Sequence, residues 1–252
     1  MNDKFYYNIT RILLSVIFLI ITSCSTGTEV EINKSSLSSI SLELGITNQE
    51  IDMGKSGTLS FTLSVPKITE GEEVPFVIAL HWAGIYTPHF AEEYLRGLAE
   101  PGLHSLDAII FAPDVPGDSW NNDLSENVIL EFIKAAKDAW PINPNKIIIT
   151  GYSMGGNGTW FLIDRHPNIF SACIPMASVP SGNLSGKVPT YIIHGNKDEL
   201  FDYKNAENAY KILKDNGAKV KISIADNLSH YQGFRYVPFL RLAAKWIKDD
   251  IW

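Results

Sequence analysis

The clearest chemical signal in the sequence is a serine between two glycines. The segment Gly151-Tyr152-Ser153-Met154-Gly155 follows the apolar run 146–150 and precedes a helix-compatible run over 157–165. A G-x-S-x-G pattern between a strand and a helix is typical of a tight, strained turn that lifts the serine hydroxyl clear of the sheet. The N-terminus of the helix that follows stabilises negative charge developing near the serine. The pattern therefore predicts that Ser153 is a nucleophile.

A serine hydroxyl is a poor nucleophile unless a base takes its proton. For a serine in such a turn, the partners follow along the chain in the order serine, acid, histidine. Three histidines come after Ser153, namely His166, His194 and His230. His166 ends the helix that the serine begins, and His194 ends an apolar run before any acidic loop. His230, in a loop directly after the last predicted strand, is therefore the predicted base.

The predicted acid is Asp198, which lies directly beyond the apolar run 189–195 and before His230. Glu199 and Asp202 lie close to it in the sequence and remain alternatives. An acid in this place holds the imidazole in the tautomer that accepts the serine proton, and it stabilises the imidazolium that forms. An imidazole, with an ordinary pKa of about 6.5, suits the role of general base near neutral pH.

A tetrahedral intermediate needs preorganised donors for its oxyanion. One predicted donor is the backbone N–H of Met154, and the second is expected in the loop His81-Trp82-Ala83-Gly84, which follows the run 75–81. Trp120 follows another strand end, where it either lines the substrate cleft or packs in the core. His89 is a candidate substrate contact on the same loop as the second donor.

These residues need a sheet that delivers them to one edge. Continuous runs rich in Val and Ile predict strands buried on both faces of a parallel sheet, and alternating runs predict half-buried strands. The predicted strands cover 58–65, 75–81, 107–113, 146–151, 170–177, 189–195 and 219–225, with the last near a sheet edge. The predicted helices cover 124–139, 157–165, 203–216 and 236–250, the last with Phe239, Leu242 and Trp246 facing inward. This alternation predicts a three-layer α/β domain with helices on both faces and with its chemistry at the carboxyl ends of the strands.

The N-terminus has the pattern of an export signal. Lys4 and Arg11 precede the apolar run 12–21, which is too short for a typical membrane-spanning helix. The segment Ile21-Thr22-Ser23-Cys24 resembles the bacterial lipobox, in which the cysteine is lipidated; an ordinary signal peptide and an uncleaved anchor are the alternatives. We predict attachment to the bacterial cell envelope by a lipid anchor, with the outer membrane or cell surface favoured over the inner membrane. The predicted organisation is a lipoprotein signal peptide over 1–23, a lipidated N-terminus and flexible tether over 24–45, and a catalytic domain over 46–252.

The composition excludes several classes of protein. Hydrophobic residues make up 45% and charged residues 19% of the chain, as in an ordinary globular core. The chain has 21 Lys and Arg against 28 Asp and Glu, a net charge of −7, which is the wrong sign for a nucleic-acid binder. Two cysteines cannot build a disulfide scaffold or a multi-cysteine metal site. The sequence contains no HExxH, CxxC or P-loop pattern, so we predict no metal and no cofactor.

Four segments resemble the α/β-hydrolase superfamily: LHWAG, FAPDVPGDSWN, NKIIITGYSMGGNGTWFLIDRHPNIFSACIPMAS and YIIHGNKDELF. They are most similar to its small lidless esterases, in the phospholipase/carboxylesterase, dienelactone-hydrolase-like and feruloyl-esterase-like branches, which include bacterial chains described only as predicted peptidases. The resemblance implies that Ser153, Asp198 and His230 form a catalytic triad. It also implies that the backbone N–H groups of Met154 and Ala83 are the oxyanion donors. The family usually has His-Gly before the oxyanion residue, where this chain has Trp82. Trp82 therefore remains an alternative to Ala83 as donor, and it is a candidate to narrow the acyl pocket.

The leading functional hypothesis is a serine carboxylic ester hydrolase that acts through an acyl-enzyme. The length of the chain leaves little room for a lid, and an open cleft suits short-chain esters or esters linked to carbohydrates, including polysaccharides. A serine peptidase on the same fold is the alternative, because the same triad cleaves amides. A non-catalytic surface-binding lipoprotein is a third hypothesis, from a different class.

Overall fold

The apolar runs of the sequence form one eight-stranded sheet in the computed structural model, which describes residues 30–252. The strands are β1 (Gly45–Asp52), β2 (Thr58–Val65), β3 (Val74–Leu80), β4 (Ile109–Pro113), β5 (Ile142–Tyr152), β6 (Ala172–Met176), β7 (Thr190–Gly195) and β8 (Val220–Ala225). Their spatial order is β1-β2-β4-β3-β5-β6-β7-β8. β2 runs antiparallel to both β1 and β4, and all other neighbours are parallel. The predicted, mostly parallel sheet is confirmed, with β8 at one edge.

Helices cover both faces of this sheet. They are α1 (Lys34–Ser38), α2 (Ala91–Tyr94), α3 (Glu100–Leu103), α4 (Asp123–Ala139), α5 (Met154–Arg165), α6 (Lys204–Asp215) and α7 (Val237–Trp246). A π-helical turn, Leu95–Ala99, joins α2 to α3, and another, Ile247–Ile251, follows α7. Side chains of α1, α4, α5 and α6 form a core on one face, and those of α2, α3 and α7 form a core on the other. The predicted three-layer α/β fold is confirmed.

The central strand β3 shows why the sheet needs helices on both sides. Phe76, Ile78 and Leu80 lie in one apolar core, and Val77 and Ala79 lie in the other, all fully buried. Successive side chains of a strand point to opposite faces, so a strand that is apolar at every position is stable only between two covering layers. Because β3 is the fourth of eight strands in the sheet, its end lies in the middle of the carboxyl edge.

Two elements and one helix face differ from the prediction. β1 lies outside the predicted strands because it is a polar edge strand, paired with β2 alone, that buries only Ile51. The helical segment 91–103 also lies outside the prediction, since its π-helical turn breaks the period of 3.6 residues that marks a helix in a sequence. Leu242, predicted to face inward, is 52% exposed because α7 turns Leu240 and Ala244 toward the core instead.

The predicted flexible tether differs from the structure over the part that is described. Residues 30–45 pack on the domain, with Ile32 and Leu37 buried in the same core as α4. Asn33 caps α1 by accepting hydrogen bonds from two backbone N–H groups of its first turn. Trp140 Nε1 donates a hydrogen bond to the carbonyl oxygen of Leu37 over 3.3 Å. Isolated apolar side chains create no period in a sequence, so this docking leaves no pattern to recognise.

The predicted signal peptide over 1–23 and the predicted lipidation site Cys24 lie outside the described residues. Between residues 30 and 252, no helix combines the length and the apolarity needed to cross a membrane. Export and membrane attachment therefore stay predictions from the sequence.

A buried carboxylate ties α4 to the end of α5. Glu126 accepts a hydrogen bond from Arg165 Nε at 2.7 Å and another from His166 Nε2. Burial alone raises the pKa of Glu126, but the hydrogen bonds from Arg165 and His166 outweigh it and hold the pKa below its usual value. Because the folded state favours the ionised carboxylate, this cluster stabilises the fold above the ordinary Glu pKa, and the stabilisation is lost as the pH falls.

We expect Glu126→Gln to lower the free energy of unfolding by about 2 kcal/mol near neutral pH, because the amide loses charge-assisted hydrogen bonds. The difference from the unmodified protein should begin to narrow near pH 4, because the carboxyl of the unfolded chain then binds protons while the native carboxylate, whose pKa is lower, keeps its charge. Urea unfolding at both pH values measures these differences. Glu131→Gln, which removes an exposed pair with Lys134 on the same helix, is the control and should cost less than about 0.5 kcal/mol. Equal losses in the two variants would contradict the role given to Glu126.

Candidate active site

The turn between β5 and α5 has the strained geometry that the sequence predicts. Ser153 has φ 57° and ψ −116°, a positive φ that residues other than glycine rarely adopt. Two glycines are required because backbone atoms occupy the space of a side chain. A Cβ on Gly151 would lie 2.1 Å from the carbonyl oxygen of Gly155, and a Cβ on Gly155 would lie 1.9 Å from the carbonyl oxygen of Leu80. The turn thus packs directly against the end of β3.

Three side chains predicted from the sequence meet at this edge of the sheet. His230 Nε2 lies 2.7 Å from Ser153 Oγ, and His230 Nδ1 lies 2.8 Å from Asp198 Oδ2. Since the carboxylate only accepts, Nδ1 carries the ring proton and Nε2 can accept the serine hydrogen. All three side chains are buried or nearly so, with Ser153 9% exposed and His230 6% exposed. The arrangement can move a proton from Ser153 to His230 when the oxygen attacks an electrophile.

The turn that follows β7 holds Asp198 in one orientation. Its Oδ1 accepts hydrogen bonds from the backbone N–H groups of Leu200 at 2.9 Å and Phe201 at 2.8 Å. Burial by itself raises the pKa of Asp198, but hydrogen bonds from His194, His230 and the Phe201 backbone outweigh it. The pKa of Asp198 therefore lies well below its usual value. Near neutral pH, Asp198 is an anion directed at the base.

The two alternative acids have other partners. Glu199 Oε2 accepts a hydrogen bond from the backbone N–H of His230 at 3.0 Å, so it holds the main chain of the histidine and not its ring. Asp202 Oδ1 accepts from the backbone N–H of Lys204 at the start of α6. The hydroxyl of Tyr152 donates to the carbonyl oxygen of His230 at 2.7 Å. Sequence reasoning missed this last contact, whose only signal was the position of Tyr152 beside the serine.

A buried histidine organises the loop after β3. His81 Nδ1 lies 2.6 Å from the carbonyl oxygen of Trp82, and His81 Nε2 lies 3.1 Å from the backbone N of Val115. The carbonyl only accepts and the N–H only donates, so Nδ1 carries the ring proton and Nε2 accepts. Burial lowers the pKa of His81 to about 4, although the hydrogen bond to the Trp82 carbonyl acts in the opposite direction. His81 is therefore neutral near pH 7.

This hydrogen bond sets the direction of the next peptide group. The carbonyl of Trp82 points to the His81 ring, and a trans peptide directs its N–H to the opposite side. The N–H of Ala83 therefore points away from His81, and Ala83 lines a cavity together with Ser153. The orientation favours Ala83 over Trp82 as a donor toward the cavity. Met154 is the first residue of α5, so its N–H has no acceptor within the helix.

A cavity of about 480 Å³ opens beside Ser153, a volume that suits a small organic group. Its apolar wall is formed by Trp82, Tyr152, Leu200, Tyr231 and Phe234. The Trp82 ring meets Tyr152 and Phe234 edge to face, with centroid separations of 6.0 and 5.7 Å. Glu93 and Arg235 add charged groups to the lining. Trp82 thus lies where a substrate would contact it.

The other two predicted substrate contacts lie outside this cavity wall. Trp120 is fully buried, and its Nε1 donates to the carbonyl oxygen of His81 at 3.0 Å, so it packs beneath the loop. His89 turns its ring toward Glu50 on β1, with Nε2 3.6 Å from the carboxylate. Its backbone N–H donates to Asp114 at 2.6 Å. Trp120 thus has the packing role that the sequence left open as its alternative, and His89 does not line the cleft as predicted.

Residues 30–252 contain no group of three or more His, Cys, Asp or Glu side chains arranged to hold a metal ion. Cys173 is fully buried, with its Sγ 3.2 Å from Thr190 Oγ1. Burial raises the pKa of the Cys173 thiol to about 12. This cysteine is a buried structural thiol in apolar surroundings.

Known proteins resemble this chain in sequence and in fold. The model of the Dienelactone hydrolase family matches residues 114–234, a segment that contains Ser153, Asp198 and His230. A thermostable esterase of known crystal structure superposes on 81% of this chain and 62% of its own, with a TM-score of 0.69 and 23% identity. The chain therefore has an α/β-hydrolase fold, and just under half of it matches a hydrolase family model.

Other proteins similar to this chain include enzymes of different classes. A putative carboxymethylenebutenolidase of Aquifex aeolicus is 25% identical over 181 residues, which cover 62% of this chain and 75% of the relative. An acylaminoacyl peptidase of Pyrococcus horikoshii has the same fold, with a TM-score of 0.63 and 17% identity over 82% of this chain and 42% of its own. The chain thus resembles the dienelactone hydrolases over residues 114–234 and has a fold that esterases and peptidases share.

We expect the stability of the protein to fall as the pH drops from about 6.5 to about 4, partly through His81. Its pKa is lower in the folded state, so the unfolded chain binds the proton first, at a cost to folding of up to about 3 kcal/mol. His81→Asn should be less stable near pH 7 but should lose less stability across this range. Urea unfolding at several pH values measures the slope, and His104→Asn, at an exposed histidine, is the control. The same slope for His81→Asn and the unmodified chain would show that His81 is not held neutral.

Proposed function

We propose that this chain is a serine carboxylic ester hydrolase that acts through an acyl-enzyme on short-chain or carbohydrate-linked esters. The observation that carries this proposal is the continuous hydrogen-bonded chain from Ser153 Oγ through His230 to Asp198, beside an open cavity. A nucleophile, a base and an acid that orients the base are the groups that acyl transfer requires.

In the first half of the reaction, Ser153 Oγ attacks the ester carbonyl carbon while its proton passes to His230 Nε2. Asp198 stabilises the imidazolium that results, since its carboxylate already accepts the Nδ1 proton. The bond from the carbonyl carbon to the alcohol oxygen then breaks, and His230 returns the proton to the departing alcohol. The acyl group remains on Ser153.

The oxyanion of each tetrahedral intermediate is bound by the N–H groups of Met154 and Ala83. Met154 contributes the free N–H of the first turn of α5, and Ala83 is aimed by the hydrogen bond between His81 and the Trp82 carbonyl. Each such donor lowers the barrier by roughly 3 kcal/mol. In the second half, water gives a proton to His230 and attacks the acyl carbon. The bond from that carbon to Ser153 Oγ then breaks, and His230 returns the proton to Oγ, which releases the acid and restores Ser153.

The shape of the cavity supports small or externally attached substrates. Leu200, Tyr231 and Phe234 at its wall are 54%, 75% and 46% exposed, so the apolar lining reaches the surface of the protein. An acyl or alcohol group can lie on this wall while a larger carbohydrate extends into solvent. Attachment of the chain to a membrane through Cys24 would place such a site at the cell envelope. This attachment stays a prediction from the sequence.

We expect Ser153→Ala to reduce the hydrolysis of p-nitrophenyl acetate by roughly a thousandfold or more, because the variant lacks the attacking oxygen. The measurement is kcat/KM of the full-length chain over a panel of short-chain esters, acylated sugars and peptides. Ser171→Ala is the matched control, since Ser171 is a partly buried serine before β6, at the opposite edge of the sheet. Equal rates in Ser153→Ala and the unmodified chain would remove the triad. Faster cleavage of peptides than of esters would contradict the proposed esterase and indicate a serine peptidase.

A further inference from the structure

A second histidine contacts the carboxylate of the proposed triad. His194, in β7, is fully buried, and its Nε2 lies 3.3 Å from Asp198 Oδ2, the oxygen that also accepts from His230. The same Nε2 lies 3.0 Å from the carbonyl oxygen of Phe201. Both neighbours are acceptors, so Nε2 of His194 carries a proton and is shared between them.

The other ring nitrogen of His194 fixes its charge state. Nδ1 is buried, and within the described part of the chain it has no hydrogen-bond partner. A proton on Nδ1 would be a buried donor without an acceptor, which is unfavourable. The ring is therefore neutral, with its single donor aimed at Asp198 and the turn that follows it.

This turn also contacts the base. The backbone N–H of Phe201 donates to Asp198 Oδ1 at 2.8 Å. Its ring packs edge to face on His230, with centroids 5.3 Å apart. His194 contacts both the Phe201 carbonyl and the Asp198 carboxylate. It therefore holds the acid in place together with the residue whose ring packs on the imidazole of His230.

We propose that His194 is a positioning residue for the reaction proposed above, through an Nε2–H that orients Asp198 and its turn and shares the charge that Asp198 presents to His230. His194 touches no substrate in this proposal and transfers no proton. The inference rests on the proposed function, because orientation of the acid matters only if His230 acts as a base.

The proposal predicts a change in the pH profile. The titratable groups near Asp198 are His194 and His230 in direct contact, and Glu199, Tyr152 and Tyr236 through their charges or hydroxyl groups. Without the His194 donor, Asp198 Oδ2 presents more of its negative charge to His230. Removal of the His194 donor therefore favours the protonated form of His230 and moves the acid limb of kcat/KM to higher pH.

The test compares His194→Leu, which has no donor, with His194→Gln, whose amide can donate near the original Nε2. We expect His194→Leu to lower kcat by roughly tenfold or more, with little change in KM, because Asp198 stays on the Leu200 and Phe201 N–H groups but is oriented less precisely toward His230. Its acid limb should also move to higher pH. His194→Gln should recover most of kcat and the original limb. A folded His194→Leu with unchanged kcat and pH profile, or a His194→Gln no better than His194→Leu, would overturn the proposal.

A measurement on the unmodified chain covers the case in which His194→Leu does not fold. The ¹⁵N NMR signals of the His194 ring should show a protonated Nε2 and a bare Nδ1 at neutral pH. The opposite tautomer or a doubly protonated ring would overturn the proposal. An unmodified chain without ester turnover overturns the proposed function itself, whereas an active chain with one of these contrary results overturns only the role of His194.

Discussion

The close contact between Gly155 and the carbonyl oxygen of Leu80 connects the two halves of the site. Leu80 ends β3, and the next residue, His81, begins the loop that carries Ala83. Gly155 lies in the first turn of α5, just after Ser153. The contact leaves no room for even a methyl group, so the backbone itself sets the distance from the serine to the loop. Since β3 and β5 are parallel neighbours, the register of the sheet in turn maintains this contact.

Three buried histidines at this edge differ in the protonation states that their hydrogen-bond partners allow. His81 lies between a carbonyl oxygen and an N–H group, so only one neutral tautomer fits. His194 faces acceptors at Nε2 and nothing at Nδ1. Of the three, His230 is the one whose doubly protonated ring has an acceptor at each nitrogen. Nδ1 faces Asp198 Oδ2, and Nε2 faces Ser153 Oγ. Residue type therefore does not decide the role, and the fold supports proton transfer at His230 while the other two histidines hold the backbone.

The sequence predicts the triad because each of its members lies in the turn or loop after a predicted strand, and parallel strands bring their carboxyl ends to one edge. The sequence does not decide between Asp198 and Glu199, since that choice depends on the conformation of the turn after β7. This turn directs the Asp198 carboxylate to the ring of His230 and the Glu199 carboxylate to the backbone N–H of His230. Contacts between distant segments leave no local pattern. Trp120 packs under a loop 39 residues earlier, and the sequence left this packing as one of two alternatives. Leu37 docks on a residue 103 positions later, which the sequence does not predict.

Covalent trapping of the nucleophile tests most directly whether Ser153 is activated by His230. The full-length chain is treated with a fluorophosphonate, and the modified peptide is identified by mass spectrometry. We expect one adduct, on Ser153, formed much more slowly in His230→Gln because the serine then has no base to take its proton. An adduct only at another residue, or a chain that hydrolyses esters yet forms no adduct at Ser153, would contradict the assignment of this serine as the nucleophile.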